Sequence, residues 1–385
     1  MIDFTLTEEQ EMLRKTVGDM AREKFREKAA FWDEQEEPPL ENLQVLAQQG
    51  LLGIALPEEY GGSAGNLLDV VIAIEEVAKH CANTAMLMGM TEGATPRALL
   101  HLGTEEQKKK YLPLIPQGKL ITAWSMSEPN AGSDVGNIQT TAVLDGNEYV
   151  VNGSKLFCSG ALIADLFVVF VRLDKTPGTK GIGGLLIEKG TPGFSLGKHQ
   201  KVLGLRGTGM AELIFEDCRV PKENLLVPAG GLRQLLTVLD ADRVVGNPPI
   251  CLGVAEGAFE EAVQHVKERQ QFGRSLSEFQ GIQWMLADMA IDLAAGRALL
   301  YKAASRINDG FPSIFDASVA KTYINEMSIR VTNSAIQLFG GYGITREYSL
   351  ERRMRDVRGL AIGYGTTQIQ RNAIANEILK GRYQY

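Results

Sequence analysis

Apolar residues near the start of the chain recur at the spacing of one helix face. They stand at Met12, Leu13, Val17, Met20, Ala21 and Phe25, which is the periodicity of an amphipathic helix. Thr7 and Gln10 precede this run at the spacing of a capping box, in which each side chain bonds the backbone of the other residue. The pattern predicts a helix that begins directly after Thr7.

The same periodicity predicts further helices in the first third of the chain. One covers about 40–50 and ends at Gly50, a residue type common just past a helix end. Another covers about 67–82, and Thr104 begins a third with a second capping box. Residues 1–118 are therefore predicted to form an N-terminal helical domain.

Short runs of β-branched and aromatic residues replace the helical pattern near residue 119. Examples are ITAWSM, EYVVNG, LFVVFVRL and AELIFE, which are typical of strands. Asp145-Gly146 and Asn152-Gly153 are dipeptides that favour the positive φ angles of tight hairpin turns. We predict a small middle β domain, a barrel or a sandwich, over 119–226.

Helical periodicity returns after about residue 227. The helical segments are predicted near 230–268, 276–307, 313–340 and 366–381. Long helices with one apolar face and short loops are typical of an antiparallel bundle. The predicted fold class is thus α+β and multi-domain, with a C-terminal four-helix bundle over 227–385.

Composition narrows the possible functions. The net charge is −7 and the pI about 5.4, which disfavours a nucleic-acid partner because such proteins carry a basic face. The cysteines and histidines are scattered without metal-ligand spacing, so no metal is expected. The N-terminus has no apolar signal core and no apolar run is long enough to span a bilayer. We expect a cytoplasmic protein that does not insert into membranes.

Six patterns in the chain carry a family resemblance. They are LLGIALPEEYGG (51–62), GTEEQKKKYLP (103–113), SEPNAGSD (127–134), NGSKLFCSGA (152–161), ERQQFGRSLSEFQ (268–280) and QLFGGYGITREYSLERRMRDVR (337–358). In this order they resemble the signatures of the FAD-dependent acyl-CoA dehydrogenases over the whole chain. The resemblance implies an oxidoreductase of class EC 1.3 that acts on acyl-CoA. It also implies an electron-transferring flavoprotein as acceptor and a homotetramer.

The resemblance assigns residues to FAD and to the acyl-CoA substrate. On the β domain, the flavin side is assigned to Trp124, Met126, Ser127, Ser133, Phe157 and Ser159. The pyrophosphate and adenosine side, reached from a neighbouring subunit in the family, is assigned to Arg269, Phe272, Gln280, Gln337, Gly340, Gly341, Thr366 and Gln368. Substrate contacts are assigned to Thr91, Ser133, Asp240, Arg243 and Tyr364.

The catalytic base is where this chain departs from the family. In IGYGTTQIQR (362–371), Tyr364 occupies the column of the usual catalytic Glu, and a phenol with a pKa of about 10 is a poor base. Asp242 stands in a column where some members carry that Glu, and Glu92 lies in the helical region that lines the acyl end of the family's cavity. An ion pair with Arg243 and a helix cap are the plain alternative roles of Asp242 and Glu92.

Three functions fit this pattern. The first is dehydrogenation with a relocated base, Asp242 or Glu92, on a cyclic, branched or already unsaturated acyl-CoA. The second is a different flavin reaction, desulfinase- or monooxygenase-like; desulfination would favour a cation at the acyl end, and residues 83–95 contain none. The third is a non-catalytic flavoprotein scaffold. The resemblance implies that the backbone N–H of Tyr364 polarises the thioester carbonyl, whichever acid is the base.

Overall fold

The first part of the chain folds into helices. The computed structural model describes residues 5–308 and 310–383. The N-terminal helices are α1 (Glu8–Lys24), α2 (Ala29–Gln35), α3 (Leu40–Gln48), α4 (Leu67–His80), α5 (Ala82–Glu92), α6 (Ala94–Leu102) and α7 (Glu105–Tyr111). Both predicted capping boxes are confirmed, at Thr7 and at Thr104. Gly50 follows α3 with a φ of +69°, which glycine adopts without steric cost.

The middle part of the chain forms one mixed sheet. Its strands are β1 (Thr122–Ser125), β2 (Thr141–Asp145), β3 (Glu148–Cys158), β4 (Leu166–Arg172), β5 (Ile182–Glu188), β6 (Phe194–His199), β7 (Ala211–Pro221) and β8 (Leu225–Val227). The strand order is β6-β7-β3-β2-β4-β5-β8, and β1 pairs with β4 in parallel. The predicted turn at Gly146 is confirmed, because it joins β2 to β3 with a φ of +63°.

The hairpin turn predicted at Asn152-Gly153 is wrong. Both residues lie inside β3, where the register against β7 shifts between Val151 and Gly153. Gly153 has a φ of +138°, and a Cβ there would come within 2.8 Å of the Thr140 backbone. The glycine therefore serves a bulge that bends a continuous strand. The dipeptide alone does not distinguish a bulge from a turn.

The last part of the chain is helical, with two departures from the prediction. Its elements are α8 (Leu232–Val245), α9 (Pro248–Glu268), β9 (Gln270–Gln271), β10 (Arg274–Ser275), α10 (Gln280–Ser305), β11 (Ile307–Asn308), β12 (Phe311–Pro312), α11 (Ile314–Phe339), α12 (Leu350–Leu360) and α13 (Thr367–Leu379). The single helix predicted over 230–268 is two helices, because Pro248 begins a new one. Helix α12 was not predicted, because its charged sequence hides a short buried face.

The helical layers meet the sheet around α5 and α6. Helix α4 packs on α1 and α9, and α11 packs on α9, α10 and α13. Helix α6 contacts both β1 and α8, and α5 contacts β1 and α9. No helix in the described residues is long and apolar enough to cross a membrane. The ends of β1, α5, α6 and α8 therefore converge at one place between the sheet and the helices.

A buried ion pair fixes the end of β1 against β3. The Lys155 ammonium lies 2.6 Å from the Glu128 carboxylate and 3.3 Å from the Met126 carbonyl oxygen. Glu128 also accepts from the N–H groups of Gln139 and Thr140, at 2.7 and 3.0 Å. Burial lowers the pKa of Lys155 to about 8, and Glu128 offsets part of this shift. The pair holds the segment after β1 in place because every charge in it has partners.

We expect Lys155→Met to destabilise the fold strongly. It leaves the Glu128 charge buried without its counter-ion, which costs about 3–5 kcal/mol. Lys15→Met is the matched control, because the exposed Lys15–Asp19 pair contributes at most about 1 kcal/mol. Urea unfolding of the FAD-loaded protein measures both free energies. Equal losses in the two variants would contradict a special role for the Lys155 pair.

Candidate active site

The loop between α12 and α13, residues 361–366, brings Tyr364 into the interior. Tyr364 has a φ of +58°, and its hydroxyl lies 4.0 Å from the Met86 sulfur of α5. Burial raises the pKa of the phenol far above 10.0, and the neighbouring Asp242 and Cys158 raise it further. Tyr364 is therefore neutral at ordinary pH and lies between α5, α8 and the end of β3.

Asp242 of α8 is the carboxylate nearest to this tyrosine in electrostatic terms. Its side chain is buried, and Oδ1 has no hydrogen-bond partner among the described residues. Burial raises the pKa of the carboxyl from 3.8 to about 7, and the charge of Arg97 offsets only part of the rise. A Cβ on Gly93 would come within 2.3 Å of Oδ1. The glycine thus leaves room for the acid, which is not the surface partner of Arg243.

Glu92 is equally buried but differently bound. One carboxylate oxygen accepts from the N–H of Ile54 at 2.7 Å and the other faces the N–H of Ala55 at 3.4 Å. Burial raises the pKa of Glu92 to about 7 despite these N–H groups. Its carboxylate therefore holds the turn after α3 through backbone N–H groups. Both oxygens of Glu92 face such a group, whereas Oδ1 of Asp242 has no partner among the described residues.

Buried polar side chains hold the loop of Tyr364 from below. The Lys321 ammonium donates to the Gly365 carbonyl oxygen at 3.0 Å and to Asn325 at 2.9 Å. The Gln370 amide donates to the carbonyl oxygens of Tyr364 and Gly365, at 3.3 and 3.1 Å. Sequence reasoning missed these residues. The signal present was a polar stripe at helical spacing, Ser318, Lys321, Asn325, Ser328 and Thr332, which also suits a solvated face.

The N–H of Tyr364 makes no hydrogen bond within the described part of the chain. The carbonyl oxygen of the same residue is bound by Gln370. The left-handed backbone conformation therefore presents a free donor from an anchored loop. A fixed, free N–H group is what an oxyanion site requires.

The residues assigned to the flavin ring come together at the ends of β1 and β3. The N–H of Leu156 donates to the Ser127 carbonyl oxygen at 2.8 Å, which places Met126 and Ser127 beside Phe157. Met126, Ser127 and Ser159 are half-buried. Phe157 is 61% exposed with a φ of +58°, and the indole N–H of Trp124 is buried without a partner. An outward apolar ring beside unused polar groups fits a flat flavin with one polar edge.

The residues assigned to the far side of FAD lie on the outer surface. Exposed positions are Arg269, Phe272, Gln280, Gln337, Gly340, Gly341 and Gln368, and Ser133 of the flavin-side group is exposed as well. Phe272 is 92% exposed on the β9–β10 hairpin, and a Cβ at Gly340 or Gly341 would meet open space. Thr366 caps α13 by accepting from the N–H of Ile369 at 3.3 Å. These groups do not converge on the Tyr364 site within one chain.

Two residues assigned to the substrate have partners inside the protein. Asp240 forms an ion pair with Arg243 one helical turn away, and burial raises the pKa of Asp240 to about 6. The Thr91 hydroxyl donates to the Met88 carbonyl oxygen of its own helix at 2.8 Å. Arg243 keeps an unpaired Nε near the loop of Tyr364. Of these, Arg243 is the residue that retains free hydrogen-bonding capacity beside the site.

Models of three domain families match this chain in succession. The acyl-CoA dehydrogenase N-terminal domain matches 7–119, the middle domain 123–218 and the C-terminal domain 229–379. The chain belongs to the acyl-CoA dehydrogenase family. The predicted family and fold class are confirmed, and the chain is an acyl-CoA dehydrogenase-type flavoprotein oxidoreductase of class EC 1.3.

Individual relatives are similar over almost their whole length. The short-chain-specific acyl-CoA dehydrogenase of Clostridium acetobutylicum is 44% identical over 98% of this chain and 100% of that protein. Cyclohexane-1-carbonyl-CoA dehydrogenase of Geobacter metallireducens is 40% identical over 98% and 99%. A subunit of the caffeyl-CoA reductase-Etf complex of Acetobacterium woodii is 38% identical over 97% and 99%.

Solved structures agree with this assignment. Butyryl-CoA dehydrogenase from Megasphaera elsdenii superposes with a TM-score of 0.94, at 36% identity over 98% of this chain and 100% of that one. The FAD complex of PigA superposes with a TM-score of 0.93, at 28% identity over 99% and 100%. The acyl-CoA dehydrogenase family uses FAD, so the fit of the β1 and β3 ends to a flavin agrees with the family.

The stability of this site is expected to depend on pH through Asp242. Its folded-state pKa lies above the unfolded value of about 3.9, so the folded protein holds an extra proton between about pH 4 and pH 7. Stability from this group is therefore lost as pH rises through that window, by up to about 4 kcal/mol. We expect Asp242→Asn to be more stable than the native protein at pH 8 and about equal at pH 4.5. The measurement is urea unfolding at both values.

The Asp69 carboxylate at the start of α4 provides a control. It accepts from the N–H of Asn66, the residue that caps its own helix, so Asp69→Asn is expected to lower stability instead of raising it. A pH-independent difference between native protein and Asp242→Asn would contradict the burial of an ionisable Asp242.

Proposed function

We propose that this enzyme dehydrogenates an acyl-CoA with Asp242 as the base that removes the proton next to the thioester carbonyl. One observation carries the proposal: the Asp242 carboxyl is buried beside Tyr364 with Oδ1 unpaired and a pKa raised by burial to about 7. A base is most effective when its pKa lies near the working pH. Tyr364 cannot compete, because its phenol stays protonated.

The contacts of Glu92 support the choice of Asp242. The N–H of Ile54 stabilises the charged form of the Glu92 carboxylate, so taking up a substrate proton weakens a hydrogen bond that contributes about 1–3 kcal/mol. Asp242 gives up nothing at Oδ1. Aspartate is one methylene shorter than the family's glutamate, so the substrate carbon must approach α8 more closely.

The N–H of Tyr364 is proposed to bind the thioester carbonyl oxygen as negative charge develops on it. Two observations support this: the N–H makes no hydrogen bond among the described residues, and Lys321 and Gln370 hold the loop through its carbonyl oxygens. In comparable sites such a donor lowers the free-energy barrier of the reaction by about 3–4 kcal/mol. The side chain of the usual glutamate is therefore replaced, while its backbone role is kept.

FAD is proposed to lie against Phe157, Met126 and Ser127, with its polar edge toward Trp124 and Ser159. It would supply the acceptor for the hydride that leaves the neighbouring carbon. Arg269 and Phe272, with Gln337 across the outer surface, are proposed to bind the diphosphate and adenosine of a second subunit's FAD. Because a relative is named as part of an Etf complex, an electron-transferring flavoprotein is the proposed acceptor.

The proposed substrate is a short or compact acyl-CoA, including cyclic, branched or already unsaturated groups. The named relatives act on short-chain and cyclohexane-1-carbonyl thioesters. In this chain the Tyr364 ring and the Met86 side chain occupy the space beside Asp242. The Tyr364 phenol is larger than the glutamate side chain that the family usually has at this position, so it leaves less space for a long acyl chain.

We expect Asp242→Asn to abolish reduction of the flavin by acyl-CoA. The purified yellow protein is mixed anaerobically with butyryl-CoA and cyclohexane-1-carbonyl-CoA, and flavin bleaching is followed by stopped flow. Loss of a positioned base costs about 10²–10⁴-fold in rate, with FAD content unchanged. Glu92→Gln is the matched control and is expected to keep the rate within about tenfold.

The pH dependence provides a second check. Asp242 must be ionised to accept a proton, so the native reduction rate is expected to rise with pH and reach half its maximum near pH 7. If Glu92→Gln stops bleaching while Asp242→Asn does not, the two roles are reversed. No bleaching by any acyl-CoA in the panel would remove the dehydrogenase proposal altogether.

A homotetramer is proposed because α10 presents an apolar stripe without a partner in the described chain. Trp284 and Ile291, two turns apart on this helix, are 63% and 65% exposed. Exposed apolar faces of this kind mark subunit contacts. A second subunit there would also agree with the outward position of Phe272.

Trp284→Glu is expected to break the assembly into smaller species, because it buries a charge in an apolar contact. Light scattering after size-exclusion chromatography measures the mass, and FAD content is expected to fall with it. Met12→Glu, at a 67% exposed apolar residue of α1, is the control and should leave the mass unchanged. A native protein that elutes as a monomer would refute the proposal.

A further inference from the structure

Arg97 of α6 is a buried cation whose guanidinium has no hydrogen-bond partner among the described residues. Its side chain is 6% exposed, and Nε and Nη2 are both buried and unpaired. It takes part in no ion pair of 4.0 Å or less among the described residues. Removing a guanidinium from water without replacing its hydrogen bonds costs several kcal/mol. A group kept in this state calls for a ligand that supplies acceptors.

Arg97 lies within electrostatic range of both acids proposed as the base. The two carboxyl groups whose charges act on it are those of Glu92 and Asp242. Glu92 is the last residue of α5, and Asp242 lies on α8, which packs against the α6 helix of Arg97. No cation occurs in residues 83–95, and Arg97 enters this region from just beyond them. The structure thus places a positive donor where the sequence indicated none.

The surrounding charges define the kind of acceptor that fits. Glu92 and Asp242 already balance the positive charge, and His101, on the same helix, is kept neutral because burial and then Arg97 lower its pKa. An additional carboxylate would face two acids across a short distance, which is unfavourable in a dry interior. A neutral carbonyl or hydroxyl oxygen supplies lone pairs to Nε and Nη2 without adding charge.

We propose that Arg97 is a specificity-determining residue that donates hydrogen bonds to an uncharged oxygen on the distal part of the acyl group. The preferred substrates would then be oxo- or hydroxy-acyl-CoA thioesters. This inference rests on the proposed function, because it takes the space beside Asp242 as the acyl site. The oxygen is placed beyond the carbons that lose hydrogen, because Asp242 is proposed to act next to the thioester carbonyl.

The test compares two thioesters of similar size, 4-oxopentanoyl-CoA and 4-methylpentanoyl-CoA, in which a carbonyl oxygen on C4 of the first replaces a methyl group and a hydrogen of the second. Flavin reduction rate and dissociation constant are measured anaerobically for the native protein, Arg97→Lys and Arg97→Met. The native protein is expected to prefer the oxo compound about 10–100-fold, because a site built to donate hydrogen bonds rejects the analogue that lacks an acceptor. Arg97→Met is expected to abolish the preference and Arg97→Lys to keep part of it.

A structural role for Arg97 would give a different result. It would lower the rates for both thioesters equally and leave their ratio unchanged, and this outcome overturns the inference. Absence of any preference in the native protein overturns it without reference to a variant. If butyryl-CoA reduces the flavin but the native protein does not prefer the oxo thioester, the role of Arg97 is refuted and the proposed dehydrogenase function stands. If no thioester reduces it, the proposed function fails, and equilibrium binding of the matched pair still decides the role of Arg97.

Discussion

Burial of charged groups with incomplete hydrogen bonding, on α6 and α8, is the constraint on which the site depends. Asp242 and Arg97 are both removed from water, and Asp242 Oδ1 and Arg97 Nε and Nη2 have no hydrogen-bond partner among the described residues. In a folded interior an isolated charge of this kind is costly, and the cost appears as a displaced pKa or as a demand for a ligand. The unfavourable groups persist because the helices around them are fixed by contacts elsewhere. The same unfavourable state makes Asp242 suited to take a proton and Arg97 suited to donate to an acceptor.

Other buried charges in this protein are satisfied, and their role is architectural. Lys155 and Glu128 lock the ends of β1 and β3, and Lys321 holds the loop of Tyr364 through the Gly365 carbonyl oxygen. Glu92 closes a turn with its carboxylate on backbone N–H groups. Whether a buried charged group has all its hydrogen-bond partners therefore indicates a structural role better than its burial alone. Both classes are needed, because a reactive carboxylate works only against rigidly placed neighbours.

Local rules predicted much of the fold. The capping boxes at Thr7 and Thr104 and the glycine after α3 follow from contacts within a few residues, and the structure has them all. The errors arose where one local pattern serves two structures. Asn152-Gly153 suits a turn or a bulge, and only pairing of β3 with β7 selects the bulge. Helix α12 shows little apolar pattern because its buried face is short. The flavin residues remain a prediction from the resemblance, since local rules carry no information about a ligand.

The sequence by itself determined the family and the order of helical and β regions, and it predicted that Tyr364 replaces the usual glutamate and that Asp242 or Glu92 takes over its role. It could not separate Asp242 from Glu92, because both are acids in helical context and the difference lies in what touches them. It also gave no reason to connect Arg97 with either acid, or Lys321 with the loop of Tyr364. Those relations join residues far apart in the chain, and desolvation depends on everything packed around a group. Only the tertiary structure decides which charged groups are buried, which of them have hydrogen-bond partners and which do not.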